Sequence, residues 1–362
     1  MAYINQLPTE APAPVRLGLI GSGWMGAFHG ESIAQRVPGA VLAAVADPSV
    51  ESAAAVAARL GGAKVTADAA DLLADPEIDA VMIASPARFH ASLITQAAAA
   101  GKHVFCEKPA AQDLDELDAA LAAVDAAGIH FQIGFNRRYA TDFQAAKKDI
   151  AQGTVGQPQL LRSLTRDPGT GSIGHAASVP AWTIFLETLI HDFDTLNWFN
   201  EGAEPVEVYA VADALVEPDL LDQGFLDTAV VTIRYSNGAL AVAEANFSAL
   251  YGYDVRGEVF GSKGMVQAGR STETAAVRYT ADGLSADTPR LNVELFREAY
   301  TDELVDFTAA VRARRDGTEP PSGLYTLTPG AADARRALAM ALACIESVQA
   351  GGPVAVGQKA VL

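Results

Sequence analysis

The sequence predicts an α/β protein with two domains: an N-terminal doubly wound parallel sheet and a C-terminal α/β domain with an open, largely antiparallel sheet. Between Val15 and Gly134, near-continuous apolar strands alternate with Ala-rich helical stretches. After Asn136 the pattern changes to longer strands separated by hairpin signals. Because 362 residues are enough for two cores, we place the first domain at residues 1–136 and the second at residues 137–362.

Six short apolar runs predict the strands of the parallel sheet, because a strand covered by helices on both faces has no polar side. These runs are Arg16 to Ile20, Val41 to Ala46, Lys64 to Thr66, Ala80 to Ala84, His103 to Cys106 and Ile129 to Ile133. Helices are expected between them. The stretch from Asp113 to Ala127 is typical, since its apolar residues recur at helical spacing and Gly128 follows it.

Hairpin signals predict the second sheet. Asn237-Gly238 lies between two strand-like runs, and this dipeptide is the strongest short signal for a hairpin. A glycine-containing turn from Gly261 to Gly264 separates the next two runs. The predicted strands are Thr228 to Tyr235, Ala239 to Phe247, Asp254 to Phe260 and Met265 to Ala268, and the predicted helices are Thr141 to Gln152, Glu294 to Arg314 and Pro329 to Gln349.

Composition excludes several classes of partner. The net charge of −18 argues against nucleic acid or an anionic membrane, both of which attract basic surfaces. No apolar run is long enough to span a bilayer, and the first residues lack the pattern of a signal peptide. The two cysteines, Cys106 and Cys344, lie in apolar stretches, which favours a reducing cytoplasm over a disulfide framework or a zinc site. We expect a cytoplasmic protein with a small-molecule ligand.

A glycine loop follows the first predicted strand and opens the first helix. In Gly21-Ser22-Gly23-Trp24-Met25-Gly26, the first glycine allows a tight turn, the second lets backbone approach a pyrophosphate, and the third allows close packing of the helix. The N-terminus of the helix then faces the phosphates. Glycine-rich turns between strands and helices are common, so the loop alone leaves the choice between a dinucleotide site and an ordinary turn open.

Asp47 favours the dinucleotide site. It ends the second predicted strand, where a carboxylate accepts hydrogen bonds from the adenosine ribose and repels a 2′-phosphate. NAD is therefore favoured over NADP as the cofactor. Asp47 could also cap the helix that begins near Ser49, and the two roles are compatible.

Two further segments carry acid and base groups. Lys108 follows a buried strand at the carboxyl edge of the sheet, where open α/β sheets bind ligands. Glu187, His191 and Asp194 are spaced to lie on one face of a helix that is otherwise apolar. This polar stripe is either a solvated helix face or the wall of a site, and the absence of Lys and Arg from residues 181–200 favours the site. A metal site is disfavoured, because no further His or Cys is spaced to complete one.

These segments together resemble the oxidoreductases grouped around glucose-fructose oxidoreductase, inositol dehydrogenase and the rhizopine-catabolism protein, over nearly the whole chain. The resemblance is carried by the glycine loop with His29 after it, Ser85-Pro86 with His90, Glu107-Lys108-Pro109, Gly134 to Tyr139, and His191 with Asp194. Within the family, Arg137-Arg138-Tyr139 and Tyr251 to Asp254 are most similar to inositol dehydrogenases.

The resemblance implies a Rossmann domain followed by a domain whose open sheet serves substrate binding and subunit contact, so we expect a homo-oligomer, either tetramer or dimer. Lys108 matches the catalytic lysine, His191 matches the catalytic histidine, and Glu187 stands where the family usually has Asp. The expected cofactor-binding residues are Gly21, Gly23, Trp24, Met25, Gly26, Asp47, Ser85, Pro86, His90, Glu107 and Lys108, and the expected substrate-binding residues are Arg138, Thr165, Glu187, His191, Tyr251 and Tyr253.

Two features concern the substrate. Thr165 stands where inositol dehydrogenases tend to place a His that contacts substrate, so myo-inositol itself is an open question. The stretch from Gly169 to Pro180, with His175, is either a substrate loop or a surface loop.

The expected reaction is oxidation of a secondary alcohol of a cyclic polyol or sugar. His191 takes the hydroxyl proton, Lys108 stabilises the alkoxide, Glu187 accepts hydrogen bonds from a neighbouring hydroxyl, and Asp194 orients the histidine or the carboxamide end of the cofactor. Two alternatives remain open. One is an NAD-dependent glycoside hydrolase or lyase that oxidises its substrate transiently, and the other is a non-catalytic regulator that senses sugar or dinucleotide.

Overall fold

The computed structural model describes residues 13–169, 179–318 and 328–357. His175 and most of the predicted substrate loop lie outside the described residues. Within those ranges, no helix is both long enough and apolar enough to cross a membrane.

The first sheet is a six-stranded parallel sheet with the order β3-β2-β1-β4-β5-β6. Its strands are β1 (Val15–Ile20), β2 (Ala40–Ala46), β3 (Lys64–Thr66), β4 (Ala80–Ile83), β5 (His103–Cys106) and β6 (Phe131–Ile133). This order confirms the predicted doubly wound sheet. The strand order reverses between β1 and β4, which leaves a crevice at their carboxyl ends.

Five helices connect these strands: α1 (Trp24–Gln35), α2 (Val50–Arg59), α3 (Ala69–Ala74), α4 (His90–Ala99) and α5 (Leu114–Ala127). The local signals for α5 act as expected. The Asp113 carboxylate accepts hydrogen bonds from the Asp115 and Glu116 amides and so caps the first turn. Gly128 ends the helix in the left-handed conformation at a φ of 62°.

The second sheet has seven strands in the order β12-β11-β7-β10-β9-β8-β15. They are β7 (Pro158–Arg166), β8 (Pro205–Asp213), β9 (Thr228–Tyr235), β10 (Leu240–Asn246), β11 (Asp254–Gly261), β12 (Gly264–Ala268) and β15 (Val354–Ala355). Strands β7 and β10 pair in parallel, whereas the other pairings within this sheet are antiparallel. The predicted largely antiparallel sheet and both hairpins are therefore confirmed. A small hairpin of β13 (Arg278–Thr280) and β14 (Gly283–Ser285) is separate.

The remaining helices are α6 (Thr141–Ala151), α7 (Ile190–Phe199), α8 (Asn292–Leu295), α9 (Arg297–Asp316) and α10 (Ala331–Ala350). A π-helical turn (Ile184–Leu189) precedes α7, and short 3₁₀ turns occupy Ala87–Phe89, Asn136–Tyr139 and Pro218–Gln223. The predicted helix from Glu294 to Arg314 is wrong in one respect, because Phe296 divides it into α8 and α9.

Helix α9 crosses from the second half of the chain to the first sheet. Its Leu304, Phe307 and Val311 join the same buried cluster as Leu17 and Phe105. Burial of these apolar side chains ties the C-terminal part of the chain to the wall of the parallel sheet. The domain boundary after residue 136 therefore stays a prediction, since the core of the first domain includes a later helix.

Candidate active site

A cleft of about 640 Å³ opens at the carboxyl ends of β4 and β5 and continues to the second domain. Its volume is in the usual range for a small-molecule site. Eleven of the residues proposed from the sequence line it: Trp24, Met25, Ser85, Pro86, His90, Glu107, Lys108, Thr165, Glu187, His191 and Tyr253. The structure thus brings the predicted cofactor and substrate segments to one place.

Two positions of the glycine loop beside this cleft have room only for glycine. Gly21 has a φ of 99°, and a Cβ there would lie 2.7 Å from the Ala84 backbone. A Cβ on Gly26 would lie 2.0 Å from the Gly21 carbonyl oxygen. A Cβ on Gly23 would meet no atom within 4 Å, so open space lies over this residue at the start of α1. The loop therefore fits a pyrophosphate, which needs this approach to backbone amides.

Asp47 is joined to the glycine loop. Its carboxylate accepts hydrogen bonds from the Ser22 amide at 2.7 Å, the Ser22 hydroxyl at 2.9 Å and the Ser49 amide at 2.8 Å. Burial alone would raise the pKa of Asp47, but these hydrogen bonds outweigh it and lower the pKa, so the group is an anion near neutral pH. The cap of α2 is Ser49, whose hydroxyl accepts from the Ser52 amide.

His90 connects the two loops that form the cofactor side of the cleft. Its Nδ1 lies 2.7 Å from the Pro109 carbonyl oxygen and its Nε2 lies 2.7 Å from the Ser85 carbonyl oxygen. Burial lowers the pKa of His90. The ring therefore holds the loop after β4 against the loop after β5, and both loops line the cleft.

Lys108 contacts the turn directly before the helix that carries His191, although the two segments are far apart in the sequence. The Lys108 ammonium donates a hydrogen bond to the Glu187 main-chain carbonyl at 3.0 Å. Glu187 lies in the π-helical turn before α7, and such turns often occur at functional sites. The Glu187 carboxylate, which faces the cleft, has no partner among the described residues. The contact fixes the position of the ammonium beside the base and leaves a carboxylate for a ligand.

The environment of His191 keeps its ring neutral. Burial is the largest cause that lowers the pKa of His191 well below its ordinary value, and the nearby charges of Lys108 and Arg137 add to it. The Nδ1 atom is buried and has no hydrogen-bond partner in the described part of the chain. A neutral imidazole in a cleft, next to a fixed ammonium, is suited to accept a proton from a bound hydroxyl.

Arg137 is a cleft residue that the sequence reasoning did not select. Its guanidinium donates to Asp192 at 2.8 Å and to the Thr165 hydroxyl at 2.7 Å. Asp192 also accepts hydrogen bonds from Ser163 at 2.5 Å and Thr165 at 2.7 Å. This buried network fixes Arg137 at the substrate side of the cleft. The Thr165 hydroxyl belongs to the network, because it accepts from Arg137 and donates to Asp192.

The predicted role of Arg138 in substrate binding is not supported. Its guanidinium binds both oxygens of Asp194, at 2.9 and 2.5 Å, and one oxygen of Asp333 at 2.8 Å, away from the cleft. Arg137 and Arg138 are adjacent in a 3₁₀ turn, in which successive side chains diverge by about 120°. Only one of them can face the cleft.

Two further residues lie outside the cleft. Asp194 was expected beside His191, but its carboxylate is held by Arg138 and so orients neither the histidine nor a cofactor. Of the three residues predicted to share one helix face, Glu187 and His191 line the cleft and Asp194 does not. Tyr251 is 52% exposed, and its hydroxyl donates to Asp254 at 2.9 Å rather than facing the site.

Asp167 is a second residue that the sequence reasoning missed. It lines the cleft directly after β7 and shares a hydrogen bond with Tyr253, another lining residue. Burial raises the pKa of Asp167. Its position at a strand end is the signal that could have identified it, but β7 is not among the strands predicted from the sequence.

Glu107 forms part of the floor of the cleft. Its Oε1 lies 2.6 Å from His29 Nε2, and its Oε2 accepts a hydrogen bond from the Lys108 amide at 3.2 Å. Burial would raise the pKa of Glu107, but its hydrogen bond and electrostatic interaction with His29 and the charge of Lys108 lower it. Glu107 is therefore a buried anion next to Lys108.

The doubly wound sheet, the open glycine loop at its switch point and the acid and base groups in the same cleft define a dinucleotide-dependent oxidoreductase. Comparison with known proteins gives the family. Residues 15–135 match the family model described as an oxidoreductase family with an NAD-binding Rossmann fold, and residues 143–267 match the GFO/IDH/MocA C-terminal domain. The chain belongs to the GFO/IDH/MocA family, and its cofactor is NAD.

Several relatives cover most of this chain. An uncharacterised oxidoreductase, YrbE, from Bacillus subtilis is 39% identical over 83% of this chain and 87% of its own. A myo-inositol 2-dehydrogenase from Thermotoga maritima is 35% identical over 85% of this chain and 90% of its own. Among solved structures, scyllo-inositol dehydrogenase from Lactobacillus casei with bound NAD(H) and scyllo-inositol is 28% identical, with a TM-score of 0.88 over 95% of this chain and all of its own.

Proposed function

We propose that this protein is an NAD-dependent dehydrogenase that oxidises a secondary alcohol of an inositol-like cyclic polyol to a ketone. The observation that carries the proposal is the meeting of the Lys108 ammonium and a neutral His191 in one cleft beside the glycine loop. Inositol dehydrogenases among the relatives support the substrate class.

In this reaction His191 is the general base. Because its pKa is lowered, the imidazole is unprotonated near neutral pH and can accept the hydroxyl proton of the substrate. Lys108 stabilises the alkoxide oxygen that remains. Its hydrogen bond to the Glu187 carbonyl holds the ammonium in place, so little reorganisation is needed when the charge develops.

Glu187 and Asp167 supply acceptors for further hydroxyl groups. Glu187 lines the cleft and its carboxylate has no partner among the described residues, and Asp167 lines the same cleft together with its hydrogen-bond partner Tyr253. Several polar groups arranged around one reacting centre suit a ring that carries a hydroxyl on each carbon. Arg137 completes this set as a donor held by Asp192.

NAD would supply the hydride acceptor, and residues around the glycine loop would hold it. The open space over Gly23 admits its pyrophosphate, and Trp24 and Met25, at the start of α1, border the cleft next to this loop. Asp47 would bind the adenosine ribose and disfavour a 2′-phosphate, and Ser85, Pro86 and His90 line the cleft.

The second sheet offers a surface for a second copy of the chain. In β8 and β9, side chains that face the core alternate with side chains on the outer face. The outer face exposes apolar side chains, among them Val211 at 57% and Val230 at 45%. Exposed apolar patches of this kind mark protein interfaces. We propose that the protein is a homo-oligomer, a tetramer or dimer, and that it acts in the cytoplasm, which its buried free cysteines favour.

The test is incubation of the purified protein with NAD and a panel of inositols, aldoses, anhydrosugars and glycosides, while NADH absorbance and product identity are followed. NADH together with a ketone from an inositol supports the dehydrogenase. Release of free sugar from a glycoside without net NADH would favour the hydrolase alternative instead. Binding of a polyol without any product would favour the regulator.

A further inference from the structure

A buried group of titratable side chains lies below the floor of the cleft, and the reaction proposed above does not use all of it. His29 comes from α1, Glu107 follows β5, and Glu303 comes from α9. One ring nitrogen of His29 and one carboxylate oxygen each of Glu107 and Glu303 lie within 4.8 Å of one another. We call these three residues the floor cluster. It joins helix α9 to the loop that carries Lys108.

Glu303 is the unusual member of the floor cluster. Its side chain is 0% exposed, and neither carboxyl oxygen has a hydrogen-bond partner among the described residues. By contrast, Glu107 interacts with His29 at 2.6 Å and with the Lys108 amide at 3.2 Å. Hydrogen bonds therefore stabilise a negative charge on Glu107, whereas none stabilises a negative charge on Glu303 among the described residues.

Electrostatics allows the floor cluster only one carboxylate. Two negative charges less than 5 Å apart, away from water, repel each other strongly, and such a pair retains one proton. Glu107 carries the charge because His29 and Lys108 are next to it. Burial, and then the charge of Glu107, raise the pKa of Glu303 well above its ordinary value, so Glu303 retains the proton.

The other groups around Glu303 do not change this assignment. Tyr300 lies one turn away on α9, and Tyr139 lies in the 3₁₀ turn packed against α9. The pKa values of both tyrosines are raised, chiefly by burial, so both are neutral. Arg137 and Arg138 in the same turn pair with Asp192 and Asp194, and Glu303 forms no ion pair with a Lys or Arg of the described residues.

We propose that the pair of Glu303 and Glu107 holds one proton, which Glu303 carries, and that Glu303 is a positioning residue that keeps a single negative charge beside Lys108. Its role in turnover rests on the proposed dehydrogenase function. A neutral Glu303 fills the space below Glu107 without adding a second charge. Glu107 then holds the Lys108 main chain through its amide, and the Lys108 side chain reaches the Glu187 carbonyl.

The first test uses the protein without substrate and compares Glu303→Gln with the native chain. A raised pKa in the folded state means that the folded protein binds more protons than the unfolded chain at pH values above about 4.5. The native protein therefore loses stability as the pH rises through this window, whereas the glutamine variant lacks this loss. The melting temperature of the variant relative to the native protein should rise by about 2 °C or more between pH 5.5 and pH 8.

Glu107→Gln provides the matched background. Without the Glu107 charge, Glu303 holds its proton less tightly, so the same pH-dependent gap should be smaller between Glu107→Gln and the double variant. Infrared spectroscopy gives a second measurement that does not depend on melting. The band of a protonated, buried carboxylic acid at neutral pH should be weaker in Glu303→Gln than in the native protein.

Three results would overturn the proposal: a gap that does not change with pH, a gap of equal size in both backgrounds, or one equivalent of tightly bound metal in the purified native protein. Turnover gives a further test, because loss of the Glu303 proton at alkaline pH would add a second negative charge beside Lys108. Glutamine cannot lose this proton, so the alkaline fall of turnover should move to higher pH in Glu303→Gln. An unchanged alkaline fall would contradict the positioning role. If no polyol is oxidised at all, the proposed function fails, while the melting and infrared data still decide whether the pair holds one proton.

Discussion

Gly23→Ala separates the folding of the glycine loop from its capacity to hold a dinucleotide. Gly23 has a φ of −64° and a ψ of −171°, which alanine adopts without strain. A methyl group there meets no protein atom within 4 Å. The substitution therefore adds a group only to the space that a pyrophosphate needs, and it leaves the rest of the loop unchanged.

The expected magnitude follows from the contacts that the methyl group blocks. A hydrogen bond from a backbone amide to a charged oxygen contributes about 1.5 to 3 kcal/mol. Loss of one such bond weakens NAD binding by roughly 10- to 100-fold, since each 1.4 kcal/mol is a factor of ten. The stability of the protein without cofactor should be unchanged or higher by less than about 1 kcal/mol, because alanine has fewer unfolded conformations than glycine.

The assay combines calorimetric titration with NAD and thermal unfolding without it. Gly26→Ala is the matched control. A Cβ there would lie 2.0 Å from the Gly21 carbonyl oxygen, so this variant should lose stability and NAD binding together. The reasoning is refuted if Gly23→Ala binds NAD as tightly as the native protein, or if it melts at a much lower temperature.

Three further predictions concern single side chains. His191→Ala should reduce turnover about 10²- to 10⁴-fold. Turnover of the native protein should fall at acid pH with an apparent pKa below 6.5, because burial and two cations lower the pKa of the base. Near-native turnover in the variant, or an acid limb with a pKa above 6.5 in the native protein, would contradict the assignment. Asp47→Ser should relax the preference for NAD, measured as the ratio of kcat/KM for NAD and NADP, and an unchanged ratio would exclude the ribose role. Arg138→Met leaves Asp194 and Asp333 without their cation, so denaturant unfolding should show a loss of about 3 to 5 kcal/mol while the KM for substrate stays near native.

The parallel sheet, and the approach of Lys108 to the glycine loop, could be predicted from the sequence for a physical reason. Residues that follow parallel strands gather at one edge, so the glycine loop after β1 and Lys108 after β5 had to be close. The meeting with His191 required a tertiary contact that no local pattern encodes. Family resemblance supplied that step, and the hydrogen bond from Lys108 to the Glu187 carbonyl is consistent with it.

Side-chain direction within short turns could not be predicted. Arg137 and Arg138 are chemically identical neighbours, and the 3₁₀ turn decides which faces the cleft. Asp194 follows His191 by three residues in the regular helix α7, and its partner Arg138 is a tertiary contact that residue spacing does not encode. Asp167 was missed because the start of β7 has two adjacent leucines, one of them exposed, and so gives no clear alternation.

The charges of the cleft are arranged so that the base stays neutral without a large net charge nearby. Arg137 has Asp192 behind it, and Lys108 has Glu107 behind it. Both cations still lower the pKa of His191, in addition to the larger effect of burial. A base with a lowered pKa is a weak proton acceptor, and Lys108 offsets this weakness by stabilising the alkoxide that proton removal creates. The two residues therefore act as a unit, and the losses on removing each of them should not be additive.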